Sequence, residues 1–109
     1  MELAKTYDVI IIGAGPAGIF TALELADTGA SVLILERGHD IRQRTKLNGD
    51  RHAPVSERRK NIVSGWGGAG AFSDGKLTLT TEYGGNLDDY MSKGRLSQLI
   101  SYVDSVYCK

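Results

Sequence analysis

The first informative pattern lies between Asp8 and Glu36. Val9–Ile12 is an unbroken β-branched run, which suits a strand buried on both faces of a parallel sheet better than an alternating, half-exposed one. After a glycine-rich turn, Ile19, Ala22, Leu23 and Ala26 recur at i, i+3, i+4 and i+7 and predict a helix with one apolar stripe lying on that sheet. Pro16 suits the first helical turn, where its missing N–H would be unpaired anyway, and Gly29 stands where a C-cap would close the helix. Val32–Leu35 is a second apolar run, and it ends on a lone carboxylate, Glu36. Strand, helix and strand in this order make a βαβ unit with a parallel strand pair.

Beyond Glu36 the apolar periodicity stops. Residues 37–64 carry Arg37, Arg42, Arg44, Lys46, Arg51, Arg58, Arg59 and Lys60 with few apolar anchors. A long basic excursion over the surface is expected, with short helical turns around residues 40–44 and 55–61, and such a charge run is usually a solvated face. Arg37, directly after Glu36, is the best placed of these arginines to reach a phosphate. Residues 77–81 alternate apolar and polar and precede a Gly84-Gly85 turn, which predicts a strand or half of a hairpin. Asn86 is the expected N-cap of a short helix over 87–91. A second helix is expected over 95–107, with Leu96, Leu99, Ile100, Val103 and Tyr107 on one core-facing stripe. The chain thus divides into a βαβ unit (1–36), a basic excursion (37–64), a glycine-rich loop and strand (65–86) and helices (87–109), without an internal repeat or a low-complexity tail.

The turn inside the βαβ unit carries chemistry. Gly13, Gly15 and Gly18 stand at G-x-G-x-x-G spacing, and seventeen residues separate Gly18 from Glu36. Gly13 permits the tight turn, Gly15 lets the backbone approach a pyrophosphate, and Gly18 lets helix and strand pack closely. The helix N-terminus directs its free N–H groups and positive dipole end at the turn, which makes an anion site. A carboxylate at Glu36, on the carboxyl edge of the sheet, accepts hydrogen bonds from a ribose 2′-hydroxyl and repels a 2′-phosphate, so NADP is disfavoured there. These features together predict a dinucleotide site. A second candidate loop is GWGGAGAFSDGKL at residues 65–77, with five glycines in the eleven residues from 65 to 75. So many glycines serve positive φ or close backbone approach, their amides can line an anion-binding concavity, and Trp66 and Phe72 add flat apolar surface beside it. Ser73, Asp74 and Lys76 are its clustered polar groups.

Composition narrows the partners. The chain has 109 residues, 41% of them hydrophobic, and thirteen basic residues balance thirteen acidic ones. One domain or less is expected. The neutral balance recruits neither nucleic acid nor an anionic membrane surface, and no apolar run approaches the length of a membrane span. Asp8 leaves no room for a signal-peptide core ahead of the first strand, and a cytoplasmic location is expected. One cysteine, Cys108, excludes an internal disulfide, and the isolated His39 and His52 have no partner at metal-ligand spacing, so no metal site is expected.

The βαβ residues resemble the amino-terminal FAD-binding motif of flavoproteins with two dinucleotide-binding domains. More narrowly, GWGGAGAFSDGKLTLTTEYGGNL is similar to the loop of the FAD-dependent dehydrogenases known as NAD(P)/FAD-dependent oxidoreductases, whose members carry GGAG(T/A)FSDGKL at this point. The resemblance implies an α/β, partial Rossmann-like FAD/NAD(P)-binding fold and a flavin-dependent oxidoreductase, with NAD(P)H as a candidate electron donor. It places Gly13, Ala14, Gly15, Pro16, Ala17 and Gly18 against the FAD pyrophosphate, Glu36 on the adenosine ribose and Arg37 beside the adenine. It brings Gly67, Gly68, Ala69, Gly70, Phe72, Ser73 and Asp74 towards the pyrophosphate or the isoalloxazine. Many members carry cysteines between the acid and the GGAG loop, and residues 37–64 have none. Relatives of this kind are several times longer, so the resemblance implies an amino-terminal fragment whose partner is the remaining carboxyl-terminal part of the parent. It is expected to bind FAD weakly or not at all on its own, and no catalytic base is identifiable in it. An NAD-binding Rossmann domain of a classical dehydrogenase accounts for residues 8–36 equally well but leaves 65–77 unexplained. A non-catalytic remnant or interaction module is the other alternative.

Overall fold

The structure, a computed structural model, describes residues 6–109, so the first five residues of the 1–36 segment lie outside the described part. In chain order the elements are β1 (Val9–Ile12), α1 (Pro16–Leu25), β2 (Val32–Leu35), α2 (Ile41–Gly49), α3 (Val55–Val63), two 3-10 turns (Ala69–Phe72 and Leu87–Asp89) and α4 (Lys93–Tyr107). They fall into two units that divide after Asp74.

In the first unit β1 and β2 pair in parallel, with Val9 opposite Val32 and Ile12 opposite Leu35, and α1 is the crossover between them. Both ends of the pair are fastened. At the start, the Ser31 N–H and hydroxyl each donate to Asp8 Oδ2 at 2.8 Å, and the Asp8 N–H donates to the Ser31 carbonyl at 3.0 Å. The Ser31 backbone bond, then its hydroxyl, hold the Asp8 carboxyl below its ordinary range. At the far end the Gly13 N–H donates to the Leu35 carbonyl at 2.7 Å and carries the ladder into the glycine turn.

Ile11 is buried on the α1 side of β1, whereas its neighbours Ile10 and Ile12 are 55% and 87% exposed. The expectation of burial on both faces therefore fails among the described residues: strand side chains alternate, and only one face of this pair carries a helix. The α1 stripe is also narrower than expected. Ile19 and Ala22 are half-buried, but Leu23 and Ala26 are exposed, because two strands are too narrow to cover a full apolar stripe. The helix closes earlier than Gly29. Its C-cap is Ala26 in ordinary helical geometry, and Gly29, with φ +79°, serves the turn that follows.

Residues 37–64 are not a mere surface excursion. They form two nine-residue helices, α2 and α3, packed on each other. Asp40 caps α2 by accepting the Gln43 N–H at 2.9 Å. What joins the pair is polar: Arg44 on α2 is fully buried and Asn61 on α3 is 4% exposed. Asn61 Nδ2 donates to the Arg44 carbonyl at 2.8 Å and to Asn48 Oδ1 at 2.9 Å.

In the second unit, residues 77–81 form no strand, since no other segment there offers a ladder to pair with. The short helix expected over 87–91 is the 3-10 turn Leu87–Asp89, and the Asn86 side chain makes no capping bond. The terminal helix begins two residues earlier than expected. Ser92 Oγ accepts the Arg95 N–H at 3.2 Å and so caps α4. On its stripe Leu96 is buried, Leu99, Ile100 and Val103 are half-buried, and Tyr107 is 60% exposed.

Candidate functional site

The site is built at the carboxyl end of β1. Gly13 has φ +102°, a conformation that side chains disfavour, and it turns the chain from β1 into α1. A Cβ on Gly18 would overlap the Gly13 carbonyl oxygen and stand 3.2 Å from Ile11 Cγ2, so helix and strand approach here only because residue 18 has no side chain. Gly15 is the N-cap of α1, no side chain caps it, and a Cβ there would meet nothing within 4 Å. Pro16 follows in the first turn. The first-turn amides, Ala17 and Gly18 among them, have no partner within the helix.

Glu36, one residue past β2, reaches back to this turn. Its Oε2 accepts the Ala14 N–H and its Oε1 accepts the Gly38 N–H, each at 2.8 Å. The Ala14 bond, then the Gly38 bond, keep the carboxyl below its ordinary range, so it stays ionised near neutrality. A carboxylate offers about four acceptor positions, and two amides leave the remainder for hydroxyl donors. Arg37 is exposed beside it.

The second glycine loop comes to the same place. The Gly67 N–H donates to the Ala14 carbonyl at 2.8 Å, and a Cβ on Gly68 would stand 3.1 Å from Pro16 Cδ and 3.3 Å from Gly15 Cα. Gly67 and Gly68 have φ of +87° and +65°. Two glycine-rich stretches, widely separated in sequence, therefore form one cradle whose walls are mostly backbone. Ala69, Gly70 and Phe72 continue from Gly68 as a 3-10 turn against α3, and Ser73 and Asp74 follow at the surface.

Sequence reasoning missed the residues that hold this loop. The Trp66 N–H donates to the His39 carbonyl at 3.1 Å. Arg44 Nε donates to the Asn61 carbonyl at 3.0 Å, Nη2 to the Ile62 carbonyl at 2.9 Å, and Nη1 to the Trp66 carbonyl. The Phe72 ring lies over the guanidinium, 4.9 Å from its carbon to the ring centroid. Gly38 and Gly65 are also structural necessities. A Cβ on Gly38 would stand 2.6 Å from Gly65 backbone, and one on Gly65 would stand 2.6 Å from Arg44 Cδ. The signal for Gly38 was a glycine inside an otherwise polar run, whereas Gly65 already belonged to the loop read from sequence. Among the described residues no cluster of His, Cys, Asp and Glu is arranged to hold a metal ion, and no helix is long and apolar enough to cross a membrane.

Comparison with known proteins gives a family match. The model of the FAD dependent oxidoreductase family matches residues 8–81, which contain every residue of the cradle. An uncharacterised protein of Clostridium beijerinckii is 47% identical over 73 residues, 63% of this chain and 13% of that protein. Protein FixC of Salmonella typhi is 35% identical over 88 residues, 77% of this chain and 20% of its own length. The mitochondrial electron transfer flavoprotein-ubiquinone oxidoreductase of Oryza sativa subsp. japonica is 46% identical over 44 residues, 35% of this chain and 8% of that protein. The matched stretches are thus a small part of each relative. No solved structure matches the chain significantly.

Proposed function

The chain belongs to the FAD dependent oxidoreductase family, and from that premise we propose that its two glycine loops and Glu36 hold the adenosine and pyrophosphate end of FAD in a flavin-dependent dehydrogenase. FAD is the cofactor of the family. The observation that carries the reading is the meeting of Gly67 and Gly68 with Ala14, Gly15 and Pro16 beside an uncapped helix N-terminus. The residues fit such a group: a diphosphate needs amide donors and backbone it can approach closely, and the cradle supplies both.

In this reading the α1 amides and Gly13, Ala14, Gly15, Pro16, Ala17 and Gly18 bind the pyrophosphate, Glu36 accepts from the ribose hydroxyls, and Arg37 lies beside the adenine. Gly67, Gly68, Ala69, Gly70, Phe72, Ser73 and Asp74 approach the pyrophosphate or the flavin ring. FAD supplies the electron-pair carrier of the redox reaction, and the chain's own groups bind and orient it. The ionised Glu36 would repel a ribose phosphate, which favours FAD or NAD over NADP in this site. NAD(P)H as electron donor and a cytoplasmic location belong to the same reading.

The bare face of β1 and β2 and the small share of each relative that is matched support a further part of it: firm flavin binding and turnover require polypeptide beyond the described cradle. FAD titration followed by the melting temperature tests the reading, because a ligand that binds only the folded state stabilises it, by about 2.7 kcal/mol at a hundred times its Kd. The expected outcome is a melting temperature that keeps rising with the logarithm of FAD concentration, a smaller rise with ADP alone, and loss of flavin on gel filtration. A melt indifferent to millimolar FAD would sink the cradle assignment, and stoichiometric flavin retained through the column would sink the requirement for further polypeptide.

A further inference from the structure

We infer that Arg44 is the positioning residue of the cradle: it fixes the second glycine loop where that loop meets the first, and thereby sets FAD affinity without touching the cofactor. The inference rests on the reading of the cradle as an FAD site. An arginine that grips a phosphate presents its fork towards the opening. Arg44 is fully buried, and its fork is committed inward to the carbonyls of Asn61, Ile62 and Trp66.

Two of those carbonyls belong to the last turn of α3, where helix geometry leaves the C=O groups without intrahelical partners and the helix dipole is negative. The third belongs to the loop itself. One guanidinium therefore fastens the exit of α3 and the start of the loop together, and the Phe72 ring folds back over it from the loop's far side. Gly65 lacks a side chain where Arg44 Cδ passes. With residues 61–72 wrapped around this cation, Gly67 is delivered to the Ala14 carbonyl and Gly68 to Pro16. A lysine carries the same charge on a single nitrogen and cannot reproduce a planar fork to three carbonyls from two segments.

Trp66 is the chain's single tryptophan and reports the loop without any flavin. Arg44→Lys is expected to raise acrylamide quenching of Trp66 about twofold and to weaken FAD binding at least tenfold, with the far-ultraviolet helix signal retained. Glu36→Ala is expected to weaken FAD binding and leave Trp66 quenching as in the wild type. Unchanged quenching in a folded Arg44→Lys protein overturns the inference, and so does a loosened Trp66 with FAD affinity kept. Should Arg44→Lys not fold, amide hydrogen exchange of the unsubstituted chain decides. The Trp66 and Gly67 amides are expected to exchange together with the last turn of α3, and exchange of those amides at unprotected rates while α3 stays protected overturns the inference. Failure of the FAD reading looks different: the unsubstituted chain binds no FAD, yet Trp66 still responds to Arg44→Lys. That result would overturn the claim on affinity and leave the hold on the loop standing.

Discussion

Glu36 serves two structures at once, since the amides that pin it, Ala14 and Gly38, lie on the turn before α1 and on the turn after β2. Glu36→Gln puts an NH2 group against one of these amide donors. We predict about a tenfold weaker FAD complex, equivalent to about 1.4 kcal/mol, measured by titration against the unsubstituted chain. The same carboxylate gives a pH dependence. Its folded pKa lies below the ordinary 4.5, so its contribution to stability is complete above that value and is lost as the pH falls through the lower, folded value. Asp8 acts in the same direction below its ordinary 3.8. Melting temperature is therefore expected to drop on acidification below about pH 4.5, with a smaller drop in Glu36→Gln than in the unsubstituted chain. The glycines and this acid are legible in sequence because a fixed spacing within one βαβ unit brings them together. Arg44 is not, because nothing in a run containing Arg42, Arg44, Arg51, Arg58 and Arg59 says which one is buried; that is decided by Asn61 and Ile62 on another helix.

At the scale of elements, patterns that need no distant partner translated well. The βαβ unit and α4 lie close to where periodicity put them, whereas the alternation at residues 77–81 produced no strand, because alternation proposes a strand and only a ladder makes one. The pair α2 and α3 was underestimated for the complementary reason. It is joined by a buried arginine and asparagine, and a hydrophobic pattern carries no trace of such a joint. Capping separates Ser92, which caps α4, from Asn86, the cap expected from sequence. Ser92→Ala removes the bond to the Arg95 N–H and is expected to destabilise α4 by about 1 kcal/mol, while Asn86→Ala, whose side chain caps nothing, should stay within about 0.5 kcal/mol of the unsubstituted chain. Thermal unfolding followed by circular dichroism distinguishes them, and equal effects would refute the assignment of the cap.

Across the molecule, burial in the first unit is one-sided. Ile11, on the α1 face, is part of the core, and Ile11→Ala is expected to cost about 2 kcal/mol or more. Ile12, next to it in sequence and 87% exposed, tolerates Lys with a change within about 0.5 kcal/mol. Ile12→Lys should also lower binding of a hydrophobic dye, because contiguous exposed apolar surface is sticky. Denaturant melts of the two variants measure the contrast, and a large loss in Ile12→Lys would mean that the face is covered. The Gly67 to Ala14 hydrogen bond has a consequence for how the protein comes into being. On the proposed reading, a βαβ unit emerging from the ribosome contains only half of the nucleotide pocket, and the half it contains is the one shared by many nucleotide-binding proteins. The remaining wall arrives only after two further helices have been made and have closed on each other, a contact of long sequence separation that forms late. On the proposed reading, selectivity for the flavin nucleotide is acquired during synthesis after nucleotide binding itself, and a nascent chain halted before residue 67 would discriminate little among adenine nucleotides that lack a ribose 2′-phosphate.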